Sequence, residues 1–171
     1  MSLEFELCLR QPITWQAHEA LLNTYYTASC MRKRAGEFLR PFGLTDVQFN
    51  LMMLLKYQST PDKGLNQALL SNMMLVNRAN ITSLVDRMEK AGLVARTDAP
   101  SDRRSNIVKL TARGRKLLDH IEPLYTKEVD RVMAALDRAE QKTLIAMLEK
   151  VRANIPGQRK SKAKEVCLAG T

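Results

Sequence analysis

A chain of 171 residues with 45% hydrophobic and 26% charged residues is long enough for one globular domain, or for one domain with an oligomerisation extension, and is too apolar for a disordered one. The balance is basic, with 27 Lys and Arg against 18 Asp and Glu, a net charge of +9 that fits a polyanionic partner. The longest uncharged run, Gly64 to Asn77, is too short to cross a bilayer.

After a short arm ending at Pro12, the spacing predicts a helix from about Thr14 to Arg40, with Trp15, Leu22, Tyr25, Tyr26, Ser29 and Cys30 near one face. Thr45 and Gln48 form a capping box that opens a second helix, Val47 to about Tyr57. That helix is apolar nearly all round and is expected to be buried. Ser59 to Gly64 reads as a loop, and Asn66 as the cap of a short helix from Gln67 to about Met74. A tight turn then leads to a helix that starts at Asn77, so the pair makes a helix-turn-helix. Leu75 stands where many such turns carry glycine, and a left-handed backbone there would cost it about 1 kcal/mol.

The helix from Asn77 places Ile81, Leu84, Val85 and Met88 on one face and is expected to stop at Gly92 with a left-handed residue. Leu93 to Thr97, a turn cluster from Asp98 to Ser105 and a return run from Ile107 to Leu110 predict a two-stranded hairpin with Arg103 and Arg104 at its tip. From Val76 to Lys116 ten basic residues face four acidic ones, which is +6 of the chain's +9. A helix sized for the major groove beside a ribbon ending in arginines is a device for reading DNA. Thr111 can cap a long helix, which Pro123 is expected to kink or break near His120. Asp137 and Glu140 form a second capping box before a last helix carrying Leu144, Leu148, Val151 and Ile155.

The expected class is therefore mainly α with a small β-hairpin wing. Residues 45–111 form the winged helix-turn-helix, 14–40 and 112–155 a helical dimerisation region, and 156–171 a basic tail expected to be disordered. The flanking helices carry more apolar surface than so small a lobe can cover, and a second copy of the chain is the economical cover.

The run Asn77 to Glu89, then Gly92-Leu93-Val94, then Asp98 to Arg104 with its Asp-Arg-Arg ending, then Val108 to Gly114 with Leu110-Thr111 and Gly114, resembles the multiple antibiotic resistance regulator (MarR) family of transcription factors. The resemblance covers about Trp15 to Ile155. It implies a homodimer with two winged lobes, each placing its recognition helix in a major groove and its wing tip in the flanking minor groove. It also implies a repressor that binds a pseudo-palindromic operator in double-stranded DNA and is released by a small ligand or, in some members, an oxidant.

On that resemblance Asn77 caps the recognition helix near a phosphate. Arg78 can fork onto guanine and Asn80 onto adenine, and Ser83 reaches a base or a phosphate, although the family often has a larger polar residue there. Arg104 matches the minor-groove arginine and Arg103 meets phosphate. Asp86 and Asp102 are expected to brace the wing by pairing with its arginine, and Asn66 and Gln67 are further phosphate ligands. Ligands of the family bind where dimer helices meet the lobe, a region that here takes in His18, Leu22, Tyr25, Tyr26, Cys30, Arg32, Phe49 and Met53 and would suit a small aromatic or amphiphilic effector. Core packing is the competing role for each of these. The peroxide-sensing branch carries its cysteine near the position of Leu21, so Cys30 departs from that pattern.

Other classes find less support. His18 and His120 are the only histidines, no glycine-rich phosphate loop exists, and no metal-ligand cluster is visible, so neither an enzyme nor a cofactor is expected. Cys8, Cys30 and Cys167 make neither a disulfide framework nor a zinc spacing, and Met1 to Arg10 carries two Glu and no basic start, which leaves a cytoplasmic protein without membrane association. The alternative that stands is a winged-helix dimer acting as a protein- or RNA-binding adaptor.

Overall fold

The computed structural model describes residues 2–59, 64–99 and 102–156, with backbone alone at 78, 98–99 and 102–106. The basic tail beyond 156 lies outside the described residues. The elements, in order, are α1 (Leu3–Glu6), α2 (Gln16–Leu39), a 3-10 turn (Arg40–Phe42), α3 (Asp46–Tyr57), β1 (Leu65–Asn66), α4 (Gln67–Met73), α5 (Arg78–Lys90), β2 (Val94–Ala99), β3 (Asp102–Leu110), α6 (Ala112–Met133) and α7 (Arg138–Ala153). The chain divides into two units between Leu54 and Leu55.

In the first unit the N-terminal arm is more ordered than its sequence suggests. Leu3 is buried, and the Ile13 N–H donates to Glu4 Oε1 at 2.6 Å. The predicted capping box opens α3: the Gln48 N–H donates to Thr45 Oγ1 at 3.3 Å and the Thr45 N–H to Gln48 Oε1 at 2.9 Å. Phe49, Leu51 and Met52 are buried, as the apolar circumference of that helix requires.

The second unit holds the winged lobe. Its sheet has three strands in the order β1-β3-β2, all antiparallel, where the sequence predicts two. The added strand pairs Leu65 with Val108 and Asn66 with Ile107. Two residues are too few to show an alternating pattern, so only the tertiary pairing reveals them. The wing strands also reach further than expected. Asp98 pairs with Asn106 and Ala99 with Asp102, inside the stretch that the sequence reads as a turn. Residues 103–105 then stand between the partners of Asp98 and Ala99, and the backbone of Arg103 and Arg104 lies in this irregularity of β3 and not in a loop. Bulges of this kind re-aim the residues they carry.

Leu70, Ile81, Leu84, Val85, Met88, Leu93, Val94, Val108, Leu118 and Ile121 are buried in this unit. The four on α5 are those its periodicity selects. Pro123 does not break α6, which runs unbroken from Ala112 to Met133. A proline removes one helical N–H, and helical periodicity with buried anchors at Leu118 and Ile121 carries the helix past it. Asp137 and Glu140 form the predicted capping box of α7. Among the described residues no helix is long and apolar enough to cross a membrane.

Lys56, at the end of α3, donates to Asp119 Oδ1 at 2.7 Å and to Glu122 Oε2 on α6, and lies 5.5 Å from the centre of the Tyr57 ring. Asp119 first, and Glu122 next, hold its ammonium above the ordinary lysine value of 10.5. A raised lysine contributes stability that is fully present below 10.5 and is lost as pH rises through the higher folded value. The urea midpoint of the wild type should therefore exceed that of Lys56→Met by a constant margin through neutral pH. The margin should close only in the alkaline range above the ordinary lysine value; a margin that closes below pH 9, about a unit or more under that value, would contradict the assignment.

Candidate nucleic-acid interface

The interface is built on two capped helices and a locked turn. Asn66 Oδ1 accepts from the Leu69 N–H at 2.8 Å and caps α4. Asn77 Oδ1 accepts from the Asn80 N–H at 2.8 Å and caps α5. Between them the Val76 N–H donates to the Ser71 carbonyl at 3.1 Å, and the Ser71 hydroxyl donates back to the Val76 carbonyl. Leu75 sits inside this reciprocal pair with φ of +53°, so the turn takes the left-handed backbone although its residue is not glycine. Thr82 Oγ1 donates to Gln67 Oε1 at 3.0 Å and ties α5 to the start of α4.

With Ile81, Leu84, Val85 and Met88 turned inward, α5 leaves Asn80, Ser83, Arg87 and Lys90 exposed at helical spacing. Arg87 is drawn back along the helix, its Nε donating to the Ser83 carbonyl at 3.2 Å. Asn77 is exposed at the helix start, where free backbone N–H groups and the positive end of the dipole favour an anion. Gly92 ends the helix at φ of +69°, as expected.

The hairpin is braced to α5 by Arg96, whose sequence context marks it only as one more positive charge. Arg96 on β2 donates through Nη1 to Glu89 Oε2 at 2.7 Å and through Nη2 to Asp86 Oδ1, while its backbone N–H donates to Glu89 Oε1 at 2.9 Å. The family resemblance pairs Asp86 with the wing-tip arginine, Arg104; in the structure it pairs with Arg96 on β2, and the side chain of Arg104 lies outside the described residues. Asp86 and Glu89 are three apart and share one face of α5, so they form a two-carboxylate receptor for one guanidinium. That spacing was the available signal. With both carboxylates committed to Arg96, the outward stripe of α5 keeps a cationic end.

The other site residues fall into three groups. Asn66 and Gln67 are half-buried and already hydrogen-bonded within the lobe. The side chains of Arg78, Asp102, Arg103 and Arg104 lie outside the described residues. The effector candidates all belong to the first unit. Phe49 is buried, Leu22, Tyr26 and Met53 are half-buried, and His18, Tyr25, Cys30 and Arg32 are exposed. The structure brings the His18 ring within 5.9 Å of Trp15 and sets Arg32 Nη2 3.3 Å from Ser29 Oγ. Tyr26 meets Cys30 and Glu6, and the electrostatic effect of Cys30 first, then partial burial and Glu6, raises the pKa of its phenol above the usual value.

The MarR family model matches residues 44–106, which span α3, the helix-turn-helix and most of the wing. The regulator FarR of Neisseria gonorrhoeae is 30% identical over 139 residues, 80% of this chain and 86% of that protein. An HTH-type transcriptional repressor of Mycobacterium tuberculosis is 32% identical over 127 residues, 74% of this chain and 88% of that one. The chain belongs to the MarR family. Sco3205, a MarR family regulator from Streptomyces coelicolor solved in complex with DNA, matches with a TM-score of 0.74 at 26% identity over 86% of this chain and 93% of that one. As a MarR family member this chain is a winged helix-turn-helix, DNA-binding transcriptional regulator. Its α5 is the recognition helix and its β2–β3 hairpin the wing.

Proposed function

We propose that this regulator is a cytoplasmic homodimeric repressor that reads a pseudo-palindromic operator and is released by a small aromatic or amphiphilic effector. The observation that carries the reading is α5 itself: an apolar face buried in the lobe, an opposite face of Asn80, Ser83, Arg87 and Lys90 in solvent, and a capped N-terminus beside them. Asn80 and Ser83, with Arg78 in the first turn, meet base edges or phosphates in the major groove, and Asn77 brings the helix end to a phosphate. Arg103 and Arg104 serve the minor groove and its phosphates, and Asn66 and Gln67 supply further backbone contacts.

Dimerisation is supported by apolar side chains left in solvent. Leu124, Val129 and Val132 on α6 and Ile145, Met147 and Val151 on α7 are exposed, and α7 has no buried residue at all among those described. A second copy covers such a surface and sets two recognition helices about 34–36 Å apart, one turn of duplex. The effector reading rests on the aromatic residues Tyr25 and Tyr26 with His18 and Cys30 nearby on α2.

Fluorescence anisotropy at about 0.15 M salt tests the proposal, with duplex from directly upstream of the protein's own gene against a shuffled control. A preference of tenfold or more, about 1.4 kcal/mol, with steep loss of affinity as salt rises, is the expected result. Salt-insensitive binding that ignores sequence would favour the adaptor reading.

The cap separates folding from recognition. Asn77→Ala should lower stability by about 1 kcal/mol and weaken DNA binding. Asn77→Asp restores the cap but places a carboxylate where a phosphate must approach. Thermal melts should return to wild type in the Asp variant while anisotropy stays weak; recovery of both would remove Asn77 from the interface.

A further inference from the structure

Leu75 is out of keeping with its surroundings. It is 83% exposed, the most exposed of the large hydrophobic residues described. It also holds φ of +53°, a conformation that an L-residue with a branched side chain adopts only under strain. Neither feature benefits the isolated fold: the side chain buries almost nothing, and a glycine would make the same turn without strain. The turn is nevertheless rigid. The Leu75 N–H reaches the Asn72 carbonyl at 3.4 Å, and the two Ser71–Val76 hydrogen bonds close the ring around it. A strained, exposed side chain held on a locked backbone is a pre-organised contact waiting for a partner.

Its place in the chain says which partner. Leu75 is two residues before Asn77, the cap of the recognition helix, so its Cα lies within about 7.6 Å of the cap's Cα. The exposed stripe of Asn80 and Ser83 begins one turn further on. An apolar knob beside a helix end that enters the major groove meets one apolar group there, the C5 methyl of thymine.

We propose that Leu75 is a specificity-determining residue that packs against a thymine methyl in each operator half-site, an assignment that rests on the DNA-reading function proposed above. The polar residues of α5 read hydrogen-bonding edges, and Leu75 adds a test for a methyl group that no hydrogen bond can make.

The probe is a duplex selected from a random-sequence pool by the full-length wild-type protein, together with copies in which each thymine in turn is replaced by deoxyuridine, which removes only the methyl. Anisotropy should show one thymine per half-site whose loss weakens wild-type binding about fourfold, the worth of one buried methyl-sized group. Leu75→Gly should bind the unmodified duplex more weakly, should no longer respond to that deoxyuridine, and should melt no lower than the wild type because the strain is gone. A Leu75→Gly variant with wild-type affinity places Leu75 outside the DNA interface and points to a protein partner. A variant that still responds to deoxyuridine as the wild type does overturns the methyl contact. Enrichment of no sequence by the wild type would instead sink the DNA-reading function, and this assignment with it.

Discussion

Arg96→Ala should lower operator affinity at least tenfold, about 1.4 kcal/mol, while leaving the helical circular dichroism unchanged. Two effects act in the same direction. The wing loses the fork that holds β2 against α5, so the hairpin is no longer fixed to that helix. Asp86 and Glu89, now uncompensated, add negative charge to the helix that approaches phosphates. Stability should fall much less than affinity. The Arg96 and Asp86 side chains are 21% and 48% exposed, so each ion pair contributes about 1 kcal/mol or less. The two effects can be separated. Adding Asp86→Asn and Glu89→Gln to Arg96→Ala removes the repulsion but not the loss of bracing. Affinity that recovers fully assigns the loss to charge, and affinity that stays low assigns it to the wing. Full affinity in Arg96→Ala alone would show that the wing needs no brace.

Gly114→Ala should cost this chain a large share of its stability. A Cβ at Gly114 would stand 2.1 Å from the Leu93 carbonyl oxygen, inside any tolerable contact. That carbonyl cannot turn away freely, because it accepts the Thr111 N–H at 3.1 Å. Thr111 also caps α6 through the Gly114 N–H at 2.9 Å and donates its hydroxyl to the Gly92 carbonyl at 2.7 Å. One threonine and one glycine thus join the end of the recognition helix to the start of α6. Forcing them apart should cost about 3 kcal/mol or more, seen as a fall in melting temperature of roughly 6–12 °C. Gly92→Ala is the useful contrast. Its Cβ would meet nothing closer than 3.6 Å, so only the left-handed φ of +69° opposes it, at about 1 kcal/mol. Equal effects from the two substitutions would contradict the steric account.

Much of this was legible in order along the chain. Residues that cap or terminate helices act on their own neighbours, so Thr45, Asn66, Asn77, Thr111 and Asp137 announce themselves from sequence, as does Gly92. Residues that act at a distance do not. Arg96 gives no local sign that it will choose Asp86 and Glu89, ten and seven positions back. β1 is two residues long and exists only because β3 offers it an edge. The irregularity carrying Arg103 and Arg104 depends on how many residues each wing strand contributes, which the turn residues between them concealed.

By itself the sequence determined the starts of the longer helices, the buried face of α5, the left-handed position at Gly92, and the concentration of positive charge in one lobe. These follow from periodicity, capping and backbone sterics, which span four or five residues. Only the tertiary structure decided the third strand, the length of the wing, the passage of α6 through Pro123, and the identity of the arginine that braces the wing. Those depend on which segments meet after folding, and that is set by the summed burial of the core and by strand pairing across many residues, not by any one residue's neighbours.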